Sequence, residues 1–176
     1  MTDSTTSSSP KRVDRPAIPA EYGVKRAKEW VDWSHVEERL AADRVYWVAT
    51  VGPSGRPRVR PVDGLYVDRR LWIGGSPKTR WVQDIAANPN VSVHLGSTDD
   101  VIIVEGRAEM LRGIDPETAE RLASASAAKF GYGMAAEDYQ RGAIAVRPRK
   151  VIAWTDFMKN PTRFRLAPQD DDGGAG

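Results

Sequence analysis

The chain has 176 residues, with 26 Lys and Arg against 24 Asp and Glu and a pI of about 9.0. That length suits one domain with a core of its own, and the near balance of charge argues against a dedicated nucleic-acid binder, which concentrates its basic residues. The absence of cysteine excludes disulfides, thiolate catalysis and Cys-ligated zinc or iron–sulfur centres, and no apolar run approaches the roughly 20 residues that span a bilayer.

Residues 1–20 are rich in Ser, Thr, Pro and charge and read as a disordered tail, as do residues 168–176. No signal-peptide core is present in the first of these, so the expected location is cytoplasmic, with no membrane partner. One domain is expected over residues 21–167. Within it, Ser34-His35-Val36-Glu37 matches a capping box and predicts a helix start, with Val36 and Leu40 on one face. Residues 44–51 predict a central strand, apolar on both faces. A turn over Gly52-Pro53-Ser54-Gly55 leads into a strand with arginine at every second position, Arg56, Arg58 and Arg60. Side chains alternate along a strand, so these three share a face.

A turn at residues 68–70 and a second strand, Leu71 to Gly74, run into Gly75-Ser76-Pro77-Lys78-Thr79-Arg80. Ser76 is placed to cap a helix and Pro77 suits its first position, predicting a helix from about 77 to 88 that Asn88-Pro89 ends. Lys78 and Arg80 oppose the helix dipole there. Free backbone N–H groups, a hydroxyl and two cations at one helix start suit a bound phosphate or carboxylate. Alternating arginines also serve merely to keep an edge strand soluble. It is their junction, through one hairpin, to a basic helix start that favours an anionic ligand.

Further strands are predicted over 91–95, 101–111 and 143–155, with bulge signals at Gly106 and Pro148. Asp115-Pro116-Glu117 opens a helix that runs to about Phe130, and a short helix follows over 135–141. Short meandering strands joined by hairpins point to a mainly β chain, an antiparallel barrel with peripheral helices.

The missing chemistry also informs. Only two histidines exist, His35 and His94, with no His-x-x-x-His pair, so no metal site is expected. Asp99 and Asp100 are adjacent and read as a solvated turn. No nucleophile elbow, Walker loop or dinucleotide fingerprint is present. A chain poor in catalytic groups but equipped with an anion site fits a cofactor that carries the chemistry. Six tryptophans are present, and most read as core; Trp81 and Trp154 lie near the basic segments, where core packing is the first reading and stacking of a flat ring the second. Catalytic residues are not assignable from these patterns; Tyr132 and Tyr139 are the candidate proton donors.

These segments resemble the pyridoxamine 5′-phosphate oxidase-like split barrel in its flavin- and deazaflavin (F420)-dependent branch. The resemblance rests on Trp-Val-Ala-Thr-Val at 47–51, Gly-Arg-Pro-Arg-Val-Arg-Pro-Val at 55–62, Lys-Thr-Arg at 78–80 and Ala-Asn-Pro-Asn-Val-Ser-Val at 87–93. It continues through Val-Glu-Gly-Arg-Ala at 104–108, Val-Ile-Ala-Trp at 151–154 and Thr-Arg-Phe-Arg at 162–165. It implies an antiparallel split β-barrel and a homodimer with two cofactor sites at its interface. Arg58 and Arg60, with Lys78, Thr79 and Arg80, would then contact phosphate. Pro61, Val62, Gly74, Gly75 and Ser76 would approach the ring through backbone atoms, and Trp154, Arg163 and Arg165 would come from the partner subunit. The oxidase itself closes with Arg-x-His, where this chain has Arg163-Phe164-Arg165, and the departure counts against vitamin B6 oxidation.

The implied cofactor is F420 or FMN. Arg56, Arg58 and Lys78, beyond a single phosphate, favour the longer anionic tail of F420. The implied activity is an oxidoreductase passing hydride to or from a small conjugated molecule. The alternative is a non-catalytic flavin, F420 or haem binder on the same fold. A nucleic-acid-binding small barrel is disfavoured by the charge balance.

Overall fold

The computed structural model describes residues 10–24 and 27–167. The strands are β1 (Arg12–Asp14), β2 (Val45–Val51), β3 (Pro57–Val67), β4 (Arg70–Ile73), β5 (Asn90–His94), β6 (Val101–Leu111), β7 (Ala143–Trp154) and β8 (Thr162–Arg165). The helices are α1 (Trp33–Ala42), α2 (Arg80–Ala87), α3 (Pro116–Phe130) and α4 (Ala136–Arg141). Every pairing is antiparallel, in the order β1-β8-β7-β4-β3-β2-β5-β6, and β6 pairs back onto β7. The strands from β7 round to β6 therefore close a six-stranded barrel. β1 and β8 continue beyond it.

The barrel is split, and two strands show where. β3 pairs with β2 over residues 57–63 but with β4 only over Gly64 to Val67. Its first half thus has one edge without a strand partner among the described residues. β7 gives residues 144–146 of one edge to β4 and residues 150–153 of the same edge to β8, while its other edge follows β6 throughout. The β6–β7 register shifts between Glu105 and Gly106, opposite Lys150 and Pro148. Both bulge signals fall at this one irregularity. A Cβ on Gly106 would stand 2.5 Å from the Arg147 carbonyl oxygen, so the bend requires glycine.

Strand alternation sorts the two faces. Tyr46, Val48, Val93, Ile102, Val104, Val151 and Phe164 point inward and are fully or almost fully buried. A second cluster lies outside the barrel wall, where Leu122 and Phe130 of α3 and Tyr139 of α4 pack on Leu65, Trp72 and Ala145. Asp115 caps α3 by accepting from the Thr118 amide at 2.8 Å, as the Asp-Pro-Glu signal predicts.

Four local expectations are corrected. α1 begins after Asp32, two residues before Ser34, and Asp32 makes no side-chain cap. α2 begins only at Arg80: the Ser76 carbonyl accepts from the Thr79 amide at 2.9 Å and from its hydroxyl at 2.7 Å, so residues 76–79 form a separate turn. Asp100 is not simply solvated, since its carboxylate meets His35 Nε2 at 2.9 Å and also pairs with Arg39 of α1. Residues 12–14, expected within a disordered tail, form β1 against β8. Composition reads the solvated side chains of such an edge strand as tail; backbone pairing supplies the order. The expectations for residues 1–9 and 168–176 lie outside the described residues.

Lys129, in the last turn of α3, ties three elements together. Its ammonium donates to the Gly64 carbonyl at 2.7 Å and the Leu40 carbonyl at 3.4 Å, and sits 4.9 Å from the centre of the Tyr46 ring. Burial outweighs these partners and lowers its pKa to about 8. The folded state therefore binds this proton less tightly than the unfolded chain, whose lysine titrates near 10.5. Its stabilising contribution is complete above 10.5 and is lost as pH falls through 8. Between pH 8 and 10, wild-type stability should rise relative to Lys129→Met, as read from urea unfolding of the two at matched pH. Parallel curves would show that the amine is not desolvated.

Candidate functional site

The even-numbered residues of β3 organise the candidate site. Arg58, Arg60 and Val62 oppose Thr50, Val48 and Tyr46 of β2 and so share one face. Their environments differ. Arg58 Nη1 contacts the Asp84 carboxylate of α2 at 2.5 Å, and Thr50 Oγ1 donates to the same oxygen at 3.3 Å. Asp84 is 4% exposed. Gly52 passes so close that a Cβ there would stand 2.2 Å from Asp84 Oδ1. Arg58 is thereby committed to fastening α2 against β2 and β3. Arg60 is exposed and, among the described residues, donates only to the neighbouring Val59 carbonyl at 2.8 Å and makes no ion pair.

The chain leaves β4 opposite Gly64 of β3 and returns to β3 at Asp84. Arg60 and Val62 lie between these two points. Gly74 to Ser76 span the same interval, followed by the turn that delivers Lys78, Thr79 and Arg80 to the start of α2. Arg80 and Asp84 are one helical turn apart and share a side of α2. Lys78 and Arg80 are exposed and make no ion pair among the described residues, and Thr79 leaves the first-turn N–H groups without a side-chain cap. Exposed cations and open amides remain available to an anion. Gly74 has open space where a Cβ would be. At Gly75 a Cβ would strike the Trp81 ring at 2.4 Å, because Trp81 is buried in the barrel core. Trp81 is therefore a packing residue and offers no stacking face.

Next to this segment lies a cleft of about 430 Å³, between the β3–β4 edge and the α3–α4 connection. Val62 and Gly74 line it, along with Trp72, Phe130, Tyr132 and Tyr139. The size falls within the range of pockets for small ligands and cofactors. Its polar groups are few. The Tyr132 hydroxyl donates to Asp63 Oδ2 at 2.9 Å, and that contact raises the phenol pKa. Ser126 and Tyr139 also line the cleft; both are buried, and their hydroxyls have no hydrogen-bond partner among the described residues. Ser126 escapes sequence reading because it sits in a run of small residues that signals only helix packing.

The remaining predicted residues lie elsewhere in the protomer. Pro61 is exposed, opposite Trp47, on the outer face of the barrel. That face carries Val45, Trp47 and Val59 at 41%, 37% and 44% exposure, with Trp47 stacked on His94 at 6.2 Å. Trp154 ends β7 edge-to-face with Phe157 at 5.3 Å. Arg163 and Arg165 are on the outer side of β8, directed at Asp14. Neither arginine, nor Trp154, lines the cleft of its own chain. No group of His and acidic residues that would hold a metal occurs among the described residues, nor any helix long and apolar enough to cross a membrane.

A mainly β, closed but split antiparallel barrel with peripheral helices defines the split-barrel class of proteins. The family model for pyridoxamine 5′-phosphate oxidase matches residues 33–155, and the chain belongs to that family. No curated protein matches. Among solved structures, a conserved hypothetical protein from Mycobacterium tuberculosis is 20% identical, with a TM-score of 0.61, over 73% of this chain and 88% of its own. An F420 reductase is 22% identical, with a TM-score of 0.50, over 65% and 94%. An FAD-binding protein from Mesorhizobium loti is 20% identical, with a TM-score of 0.52, over 76% and 94%. At these identities the likeness concerns the fold.

Proposed function

We propose that this protein is an oxidoreductase that binds F420, or FMN, and transfers hydride to or from a small conjugated molecule. The observation that carries the reading is the continuity of the apolar cleft, through Gly74 to Ser76, with the exposed cations Arg60, Lys78 and Arg80. A ring and a phosphate on one ligand need that adjacency. Family membership and the F420 and FAD named for the similar structures support the same cofactor class. When bound, such a group supplies hydride transfer.

The chain's own residues bind, orient and exclude water. Val62, Trp72 and Phe130 provide the dry wall. Arg60, Lys78 and Arg80 take the phosphate. Ser126 and Tyr139 present hydroxyls that can donate to a carbonyl or nitro oxygen of the acceptor. The outer-face patch of Val45, Trp47 and Val59 supports a homodimer, which would also bring Trp154, Arg163 and Arg165 towards the partner's site.

The test is a paired titration with F420 and with FMN, read by tryptophan fluorescence, since Trp72 lines the cleft. Micromolar or tighter binding of either is expected, and binding of neither overturns the proposal. Arg60→Ala and Arg80→Ala should each weaken binding by about 1.5–3 kcal/mol, the range for a charged hydrogen bond, and leave stability unchanged. Bound reduced cofactor that no acceptor reoxidises would make the protein a carrier.

A further inference from the structure

A second recess, of about 350 Å³, lies on a different face of α3 from the cleft. Exposed Ala41 and Ala42 at the end of α1 and exposed Ala128 of α3 stand at its mouth, and buried Leu65 with Tyr66 of β3 at its base. Lys129 is the one charged residue that lines it. The small alanine side chains leave a path open to its half-buried amine.

The surroundings favour the uncharged form of that amine. A neutral amine has two N–H groups, and the Gly64 and Leu40 carbonyls supply two acceptors, at 2.7 and 3.4 Å. Lys129 makes no ion pair among the described residues. Asp43 of the segment after α1 and Asp63 of β3 act on it from further off and raise its pKa, Arg44 lowers it, and burial outweighs all three and brings it to about 8. At pH 8 about half of it is free base, against under about 1% of an unperturbed lysine. With both N–H groups taken, the lone pair is what remains to react. The exposed Arg44 guanidinium donates to the Lys129 and Phe130 carbonyls at 3.3 and 3.4 Å. It sets a cation near the recess, which suits an anionic leaving group.

We infer that Lys129 is a nucleophilic lysine and an acylation site, its recess admitting the short acyl group of an acyl phosphate. The nitrogen attacks the acyl carbonyl carbon and an N–C bond forms. The bond from that carbon to the phosphate oxygen breaks, phosphate leaves with the electron pair, and water takes the proton from nitrogen. Nothing is oxidised or reduced. The product amide is neutral, so a half-buried charge is removed, and it keeps one N–H for the Gly64 carbonyl. Phe130, the next residue, lines the cofactor cleft, which places the modification beside the cleft wall. The inference stands apart from the cofactor reading, since its probe carries no ring.

The test treats the full chain with acetyl phosphate over a range of pH and follows acetylation by peptide mass spectrometry. The internal reference is Lys159, whose exposed amine pairs with Asp156 at 3.0 Å, a contact that raises its pKa above 10.5. At pH 8 Lys129 should react about tenfold faster than Lys159, its larger share of free base outweighing its lower basicity. The Lys129 rate should level off above pH 8, while the Lys159 rate still rises at pH 10.5. Ala41→Leu, at an exposed helical position that leucine suits, should narrow the mouth and slow Lys129 several-fold without altering Lys159. Parallel pH profiles at the two lysines, or label at Lys159 with none at Lys129, would overturn the inference. So would an unchanged Lys129 rate in Ala41→Leu, because the acyl group would then not enter through the recess.

Discussion

Arg58→Ala should destabilise the protein by about 3 kcal/mol, the low end for removing one partner of a buried ion pair. The low end applies because the Arg58 side chain is 25% exposed, whereas that of Asp84 is only 5% exposed. Among the described residues, the substitution leaves the Asp84 carboxylate with Thr50 as its one side-chain donor. A carboxylate stranded in that position is costly, because its burial keeps it from full hydration. The double replacement Arg58→Leu with Asp84→Leu should recover most of the loss, since neither charge then has to be buried. Urea unfolding of the three proteins reads this directly. The contrast with Arg60 tests the assignment of roles on β3, two residues apart on one face. Arg60→Ala should cost ligand affinity alone, and Arg58→Ala should cost stability first. If Arg58→Ala unfolds at the wild-type midpoint but binds the cofactor weakly, Arg58 belongs to the anion site and the Asp84 pair is incidental.

The second large effect is expected at Gly64, in the middle of β3. A Cβ there would stand 2.1 Å from Tyr46 Cδ2. Tyr46 is fully buried, and its hydroxyl donates to the Leu40 carbonyl. Gly64 cannot retreat, because it pairs with Ile73 of β4 and accepts from Lys129. Gly64→Ala should therefore cost about 3 kcal/mol, the upper part of the usual overpacking range. Asp63 and Leu65, on either side, line the cleft, so cofactor affinity should fall with stability. Combining Gly64→Ala with Tyr46→Leu should lose less than the sum of the two single changes, because the smaller side chain removes the clash. Additive losses in thermal unfolding would show that the ring is not the obstacle.

Much of the architecture was legible in the chain because it rests on local chemistry. Alternation and turn residues place most of the strands, Asp115-Pro116 places α3, and Gly106 with Pro148 marks the one bulge in the β6–β7 ladder. Two boundaries shifted for local reasons of another kind. Ser76 resembles a cap, but its carbonyl closes a turn on Thr79 before the helix begins. Ser34 begins a capping-box pattern, yet the helix is already under way at Trp33.

Long-range pairing accounts for what was not legible. Nothing around residue 14 signals that Asp14 will meet Arg163, a contact that spans 149 positions. The partition of Arg58 from Arg60 is of the same kind. Alternation puts both on one face, but the approach of α2 decides which of them meets Asp84 and which stays free for a ligand. The cleft, too, arises where the α3–α4 connection crosses the β3–β4 edge, so Ser126 joins Val62 and Gly74 only in the folded chain. Residue types and their periods were enough to determine a mainly β antiparallel barrel with peripheral helices, because strand, turn and cap preferences act over a few residues. Which arginine pairs with Asp84, which carboxylate meets the β8 arginines and where the cleft opens were decided by the tertiary structure, because each depends on a partner brought close only by the closing of the sheet.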